Sequence, residues 1–215
     1  MDSRIEKTLK NLEKNNMKAY FCETKEDAKQ LVQSLMTKGC TVTHGGSETI
    51  KETGVNELLQ SGDYNYLDRS KCATREETEE LYRKSFSADV YITSSNAVTE
   101  NGELYNVDGN SNRVACIAYG PESVIVIAGI NKIVENIDKA VERVKKICAP
   151  LNTKRLNSAT YCNAKGECVS LSKENPFICD GCSSDARICC NYLVSAHQRK
   201  KDRIKVIIVN ENLGY

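Results

Sequence analysis

Apolar residues along the chain alternate between short continuous runs and stripes at helical spacing. Between the runs, apolar residues recur three or four positions apart, which predicts amphipathic helices. Strands that alternate with helices favour parallel pairing through right-handed crossovers. We therefore predict an α/β fold with an open, mainly parallel, Rossmann-like sheet. The predicted strands are residues 17–23, 40–45, 64–69, 88–95, 123–129 and 203–209.

Local signals add detail to this alternation. Residues 50–58 and residues 133–148 are predicted as helices from their apolar spacing. Two short strands, residues 97–99 and 103–107, flank Asn101-Gly102, a dipeptide typical of tight hairpin turns. We therefore predict that one antiparallel hairpin interrupts the parallel arrangement.

Two helices are predicted to begin at capping boxes. Thr24 with Asp27, and Thr74 with Glu77, have the three-residue spacing at which a side chain caps the backbone of the first turn. Each pair directly precedes a helical stripe, so the helix starts are predicted locally.

The last apolar run determines the predicted domain organisation. Because residues 204–215 return to the sheet as its final strand, the segment before them is an insertion or cap rather than a free tail. We predict an α/β core over residues 1–150 and a cysteine-rich insertion over residues 151–203.

Charge and hydropathy exclude some classes of protein. The formal net charge is only +1, which argues against a nucleic-acid-binding protein. The longest apolar runs are too short to cross a bilayer, and the first residues lack the apolar stretch of a leader peptide. We expect a cytoplasmic protein that binds neither nucleic acid nor membrane.

The turn after the second predicted strand is a candidate anion site. It reads His44-Gly45-Gly46-Ser47, where glycines let backbone amides approach a ligand and Ser47 can cap the next helix. Ligands of open α/β sheets bind beyond the carboxyl ends of strands, where this turn lies. A tight turn with a capping serine, without a ligand, is an equal alternative.

A long polar stretch over residues 93–113 is the second candidate. Such stretches are uncommon inside compact domains and are typical of sites. Together with the preceding turn, it predicts a pocket for a small organic anion. Its candidate ligand-binding residues are Ser94, Ser95, Asn96, Asp108, Asn110 and Arg113.

Glu100, at the tip of the predicted hairpin, is the candidate catalytic residue. Glu100-Asn101-Gly102 resembles the Ser-Glu-Asn-Gly turn of the acyl-CoA transferases, in which the glutamate forms a thioester with coenzyme A. Thr99 and Glu103 depart from that pattern. A solvated glutamate in an Asn-Gly turn is therefore the favoured interpretation, and coenzyme A enters only under the transferase alternative.

Over the whole chain, the sequence resembles the lactate-utilisation (LUD-domain) family, which is related in fold to the CoA transferases and ribose-phosphate isomerases. The stretches that carry the resemblance cover most of residues 1–150 and the C-terminal strand. The resemblance implies oxidation of L-lactate to pyruvate together with iron–sulfur redox subunits, and it leaves open whether this chain itself is an enzyme. The stretches are THGGSETI, SADVYITSSNAVTENGELYNVDGNSNRVA, VIVIAGINKIVENIDKAVERV and DRIKVIIVNENLGY.

Six of the 11 cysteines fall within residues 162–190. Thiolates are soft ligands that favour zinc or iron–sulfur clusters. A segment with little apolar material needs a cross-link or a bound metal to hold its fold. The spacing decides neither the metal nor which of the adjacent Cys189 and Cys190 is a ligand. Free thiols, or disulfides formed on purification, are the alternative. The candidate ligands are Cys162, Cys168, Cys182 and Cys189, with Cys179 as a substitute.

Three functions thus remain open: a lactate-utilisation protein, a glutamate-dependent acyl-CoA transferase, and a non-catalytic, metal-stabilised scaffold that docks partner subunits. The sequence also leaves a homodimer open.

Overall fold

Two β-sheets organise the chain in the structure, a computed structural model that describes residues 2–215. The larger sheet has six strands in the order β1-β10-β7-β4-β2-β3, and all its pairings are parallel. The smaller has four strands in the order β8-β5-β6-β9. The strands are β1 (Lys18–Cys22), β2 (Thr41–His44), β3 (Asn65–Tyr66), β4 (Val90–Thr93), β5 (Ala97–Thr99), β6 (Leu104–Asp108), β7 (Ser123–Gly129), β8 (Ile133–Val134), β9 (Asn191–Ser195) and β10 (Ile204–Val209).

Helices cover both faces of the parallel sheet, and apolar clusters on the two faces form the core. The central strands β7 and β10 are buried almost throughout, as expected of continuous apolar runs in a parallel sheet. The α/β prediction is therefore confirmed. The helices are α1 (Ser3–Lys14), α2 (Lys25–Ser34), α3 (Glu48–Glu52), α4 (Val55–Leu59), α5 (Arg75–Ser85), α6 (Asn112–Ala118), α7 (Ile137–Arg143), α8 (Ala149–Arg155) and α9 (Tyr161–Lys165).

Both predicted capping boxes are present. Thr24 and Thr74 each accept from the backbone of the residue three positions on, and Asp27 and Glu77 cap in return. These contacts lie within a few residues of chain, which is why the sequence predicts them well.

Two predicted helices differ from the structure. The helix over residues 50–58 is divided into α3 and α4, because Gly54 has a left-handed backbone with φ of 67°. Residues 133–148 begin with the short strand β8, and the helix starts only after Asn136, whose side chain accepts from the backbone N–H of Lys139. A π-helical turn, Val144–Cys148, then joins α7 to α8.

The inserted segment contributes a strand to the smaller sheet. The predicted hairpin is present as antiparallel β5 and β6, and β9, from within residues 151–203, pairs with the other edge of β6. The predicted return of the chain is confirmed, since β10 lies between β1 and β7. Within residues 2–215, the structure has no helix long and apolar enough to cross a membrane.

Candidate functional site

A cavity of about 470 Å³ lies beyond the carboxyl ends of strands β2, β4 and β7. The turn after β2, the Ser94–Asn96 segment after β4 and the loop after β6 contribute to its walls. The π-helical turn and residues 185–189 of the inserted segment line it as well. The cavity therefore occupies the position where ligands of open α/β sheets bind.

Lys132 lies deep in this cavity. It follows β7 in a short 3₁₀ turn, Ile130–Lys132, and only 3% of its surface is exposed to solvent. Its Nζ donates to Thr49 Oγ1 over 2.8 Å and to Ser94 Oγ over 3.0 Å. No carboxylate of residues 2–215 lies within ion-pair distance, and burial lowers the pKa of Lys132 to about 8. A buried ammonium group that only hydroxyls contact favours an anionic ligand.

Arg113 carries a second positive charge in the cavity wall. It lies in the first turn of α6, and its guanidinium donates to Asn106 Oδ1 (2.5 Å), Val107 O (2.7 Å) and Asn96 Oδ1 (3.1 Å). All of these acceptors are uncharged. They therefore hold the guanidinium in one orientation without neutralising it, which leaves its charge for a ligand.

Arg143 lies behind the same wall. Its Nη1 donates to the backbone oxygen of Asn96 over 2.7 Å and contacts Cys148 Sγ, also at 2.7 Å. Asn96 and Cys148 both line the cavity. Arg143 has no carboxylate partner within the described chain, and its charge acts on Lys132 in the direction that lowers the pKa of the ammonium.

The charge of the lining is positive on balance. Five cationic side chains and three carboxylates face the cavity, a formal difference of +2. Asp108 is already used within the protein, since its Oδ2 accepts from the backbone N–H groups of Arg113 and Val114. The lining cations are Arg69, Arg113, Lys132, Arg155 and Arg187, and the carboxylates are Glu48, Asp108 and Asp185.

Most candidate anion-binding residues from the sequence lie together here. The structure therefore brings these residues to one cavity. The cavity-lining members are Gly46, Ser47, Ser94, Ser95, Asn96, Asp108, Asn110 and Arg113.

His44 and Gly45 do not line the cavity. The His44 ring stacks on Tyr66, and its Nε2 lies 2.7 Å from the Tyr66 hydroxyl. Burial lowers the pKa of His44. Gly45 serves close packing, because a Cβ atom there would lie 2.8 Å from the Tyr91 hydroxyl and 3.1 Å from Arg113 Cδ. Both residues therefore support the wall from behind.

Glu100 lies outside the cavity. Its carboxylate accepts from Arg4 Nε over 2.9 Å and from Lys7 Nζ over 3.0 Å, which attaches the tip of the β5–β6 hairpin to α1. The bond from Lys7, together with Arg4, lowers the pKa of Glu100. These contacts give Glu100 a structural role, and its proposed nucleophilic role remains a prediction that they do not support.

Lys132 and Arg143 were not predicted as site residues. Lys132 is the first charged residue after the buried strand SVIVIAG, at the end of the sheet where ligands bind. That position could have identified it. Arg143 has no such signal, because its position on an amphipathic helix is typical of a solvated residue.

Four of the candidate metal ligands surround a second cavity, of about 30 Å³: Cys162, Cys168, Cys182 and Cys189. Cys179 does not line it and, like Cys190, is exposed. The pKa of Cys189 is raised to about 12, mainly by burial and to a smaller extent by the neighbouring thiols. Over residues 2–215, no three His, Cys, Asp or Glu side chains stand at metal-ligand spacing. Zinc and iron–sulfur therefore both stay predictions.

The two cavities have a wall in common. Both are lined by Val144, Ala149, Arg187, Ile188 and Cys189. The cysteine-rich segment thus forms one side of the candidate anion site.

Among the solved structures that resemble this chain is one whose likeness extends over the whole chain. It is a DUF162 family protein from Deinococcus radiodurans, with 14% identity and a TM-score of 0.51, and the likeness covers 97% of this chain and 99% of that one. At this identity the likeness shows the fold alone. Two further likenesses are partial and have lower TM-scores. They are to eIF2B delta from Chaetomium thermophilum (16% identity, TM-score 0.36, 55% of this chain and 50% of that one) and to ribose 5-phosphate isomerase from Plasmodium falciparum (17%, 0.32, 52% and 52%).

No curated protein matches the sequence significantly. The family model described as the LUD domain matches residues 5–209, nearly the whole chain. The chain therefore belongs to the LUD-domain family, which is associated with lactate utilisation.

Proposed function

We propose that this protein binds a small organic carboxylate in the cavity around Lys132 and takes part in oxidising L-lactate to pyruvate with iron–sulfur partner proteins. The buried Lys132 ammonium, whose hydrogen-bond partners within residues 2–215 are the Thr49 and Ser94 hydroxyls, is the observation that carries the proposal. A carboxylate beside it would supply the missing negative charge. A cytoplasmic location belongs to the same proposal.

Two further cations favour an anion in this place. Arg113 is held by neutral acceptors at the cavity wall, and Arg143 lies behind that wall. A carboxylate between Lys132 and Arg113 would accept charge-assisted hydrogen bonds, which contribute about 1.5–3 kcal/mol each. Ser94, Ser95 and Asn96 add short polar groups that could orient a hydroxyl or keto oxygen.

In the proposed reaction, this chain binds and orients the substrate. Conversion of L-lactate to pyruvate breaks one C–H and one O–H bond, and it releases two electrons and two protons. In the proposal, the electrons pass to the iron–sulfur partner proteins and the protons to solvent. Since about 470 Å³ is more space than a three-carbon acid occupies, the cavity can also admit a group from a redox partner.

The experiment is a calorimetric titration of the protein with L-lactate and pyruvate, and with acetate and D-lactate as competitors. We expect L-lactate or pyruvate to bind more tightly than acetate. Lys132→Met should weaken binding about tenfold to a hundredfold, which corresponds to the loss of one charged hydrogen bond.

Lys205→Met is the matched control. Lys205 is also partly buried and donates to Ser123 Oγ and the Asp202 backbone oxygen, but it lies near the start of strand β10, outside the cavity. The affinity of the Lys205→Met variant for L-lactate or pyruvate should stay within twofold of that of the unmodified protein. Equal binding by the Lys132 and Lys205 variants would refute the proposal.

A further inference from the structure

The small cysteine-lined cavity has the properties of a site for one atom. Its volume of about 30 Å³ leaves room for a small ligand such as a single ion. The four sulfur-bearing residues share its lining with apolar side chains such as Tyr105, Val144 and Ile188. A water molecule needs two to four polar partners, which such a lining supplies poorly. A soft cation suits it better.

The four cysteines come from three separate pieces of the inserted segment. Cys162 lies in the first turn of α9, and Cys168 immediately precedes the 3₁₀ turn Val169–Ser172. Cys182 and Cys189 lie in the stretch between Lys173 and Cys190, which contains no helix or strand. Irregular stretches of this length inside a domain are uncommon unless they are functional or are held by a cross-link.

Arg187 shows how this stretch is folded around the cavity. Its guanidinium donates to the backbone oxygens of Cys179 (2.7 Å), Cys182 (3.1 Å) and Cys189 (2.8 Å), and to the Tyr192 hydroxyl (3.0 Å). A single side chain thus gathers three cysteine backbones. The folded stretch has few apolar contacts of its own, so an additional link between the cysteines would stabilise it.

Hydroxyl groups lie beside two of the sulfurs. Cys162 Sγ is 3.4 Å from Thr160 Oγ1 and 3.5 Å from Thr153 Oγ1, and Cys168 Sγ is 3.3 Å from Ser170 Oγ. Donors in these positions would stabilise thiolates, in the way that outer hydrogen bonds tune metal ligands. The donor set and its surroundings therefore fit a thiolate-bound metal.

We propose that Cys162, Cys168, Cys182 and Cys189 bind a single tetrahedral Zn²⁺ ion, which fastens the inserted segment to the core. The four residues line one cavity, and within residues 2–215 their side chains do not stand at metal-ligand spacing. Rotation about a Cα–Cβ bond from one staggered position to the next moves a sulfur by about 3 Å, and the proposal requires such rotations to bring the four sulfurs onto Zn–S bonds of about 2.3 Å. Binding releases the thiol protons to solvent.

The spacing of the cysteines does not match a ferredoxin run, and four cysteines around one small cavity suit a single ion. The ion would have four protein ligands and no open position, which is typical of a structural site. The proposal does not depend on anion binding.

The test begins with the full chain, expressed with both iron and zinc in the medium and purified without oxygen. Metal analysis by mass spectrometry should find about one zinc per chain. After chelation, added Co²⁺ should produce the intense visible absorption of a tetrahedral thiolate site, and Zn²⁺ should abolish it. This readout needs no variant to fold.

Substitutions then assign the ligands. Cys182→Ser should lower zinc content by at least tenfold, whereas Cys179→Ser and Cys190→Ser, at exposed neighbouring positions, should retain it. Iron and acid-labile sulfide in place of zinc would overturn the proposal. So would a metal-free chain whose Co²⁺ form lacks tetrahedral absorption, or loss of zinc in the Cys179 variant instead of the Cys182 variant.

Discussion

Lys132 Nζ lies 2.8 Å from Thr49 Oγ1, and this contact joins the carboxyl ends of two parallel strands. Lys132 follows β7, and Thr49 lies in α3, directly after β2. In a parallel sheet both segments emerge at the same edge, so residues far apart in sequence meet there. The candidate anion site is built on this contact.

Anion binding should weaken as pH rises through about 8. The pKa of Lys132 is lowered to about 8 by burial, and only the protonated ammonium attracts a carboxylate. We expect the dissociation constant to be nearly flat from pH 6 to 7 and to rise towards tenfold per unit above pH 8. Calorimetry at a series of pH values measures this, and the Lys132→Met variant should show no such rise. A flat profile in the unmodified protein would contradict the assignment.

Protonated Lys132 favours anion binding but lowers the free energy of unfolding. Because the folded pKa of Lys132 is below its usual 10.5, the unfolded chain binds the proton more strongly between about pH 8 and 10.5. Burying the ammonium costs stability below pH 8, on the order of 3 kcal/mol, and the cost disappears as pH rises through this window. Lys132→Met should therefore unfold at higher denaturant concentration than the unmodified protein at pH 7, and the difference should shrink towards pH 10. If the two proteins differed in denaturant midpoint by the same amount at pH 7 and pH 10, Lys132 would not be a buried charge.

Arg113→Met should weaken both anion binding and folding. It removes several hydrogen bonds to Asn106, Val107 and Asn96, and it leaves some of these acceptors without a partner. We expect about 1–3 kcal/mol of lost stability and a tenfold or greater loss of affinity. Arg203→Met is the control, since Arg203 binds the backbone oxygens of Cys116, Ile117 and Pro121, away from the cavity. It should lower the melting temperature with little change in affinity.

Glu100→Gln should leave anion binding unchanged. Glu100 contacts Arg4 and Lys7 rather than the cavity, and partly exposed ion pairs contribute about 0.2–1 kcal/mol. Since the pKa of Glu100 is lowered by these contacts, their contribution is present above the usual value of 4.5 and is lost as pH falls through the lowered pKa. Chemical denaturation at pH 7 and pH 3 should show this. If incubation with an acyl-CoA followed by borohydride reduces Glu100 in the unmodified protein, the transferase alternative gains support.

Gly102→Ala should destabilise the chain strongly. Gly102 has φ of 81°, and an added Cβ atom would lie 2.4 Å from the carbonyl carbon of Asn11 and 2.5 Å from the backbone nitrogen of Leu12. We expect about 2–4 kcal/mol, from backbone strain plus the clash with α1. Gly39→Ala is matched in backbone, with φ of 79°, but has open space around it, so it should cost only about 1 kcal/mol. Similar losses in the two variants would show that the hairpin does not pack against α1 as described.

The sequence by itself determined the features that depend on neighbouring residues. The capping boxes, the Asn-Gly hairpin and the continuous apolar strands all arise within a few positions of chain, so local patterns predict them. It also placed Ser94 and Arg113 in one long polar stretch and predicted that both belong to a ligand site, and both line the cavity.

The tertiary structure alone decided which charges are buried and which thiols meet. Arg143 resembles a solvated residue in the sequence, and Lys132 is one of many lysines, so only contacts between distant segments, such as α7 with β5 and β6, remove them from water. The half-exposed strand β9 and the two-residue strand β8 have little pattern of their own and exist because they pair with β6 and β5. Burial and pairing between distant segments depend on contacts across the fold, which no local pattern contains.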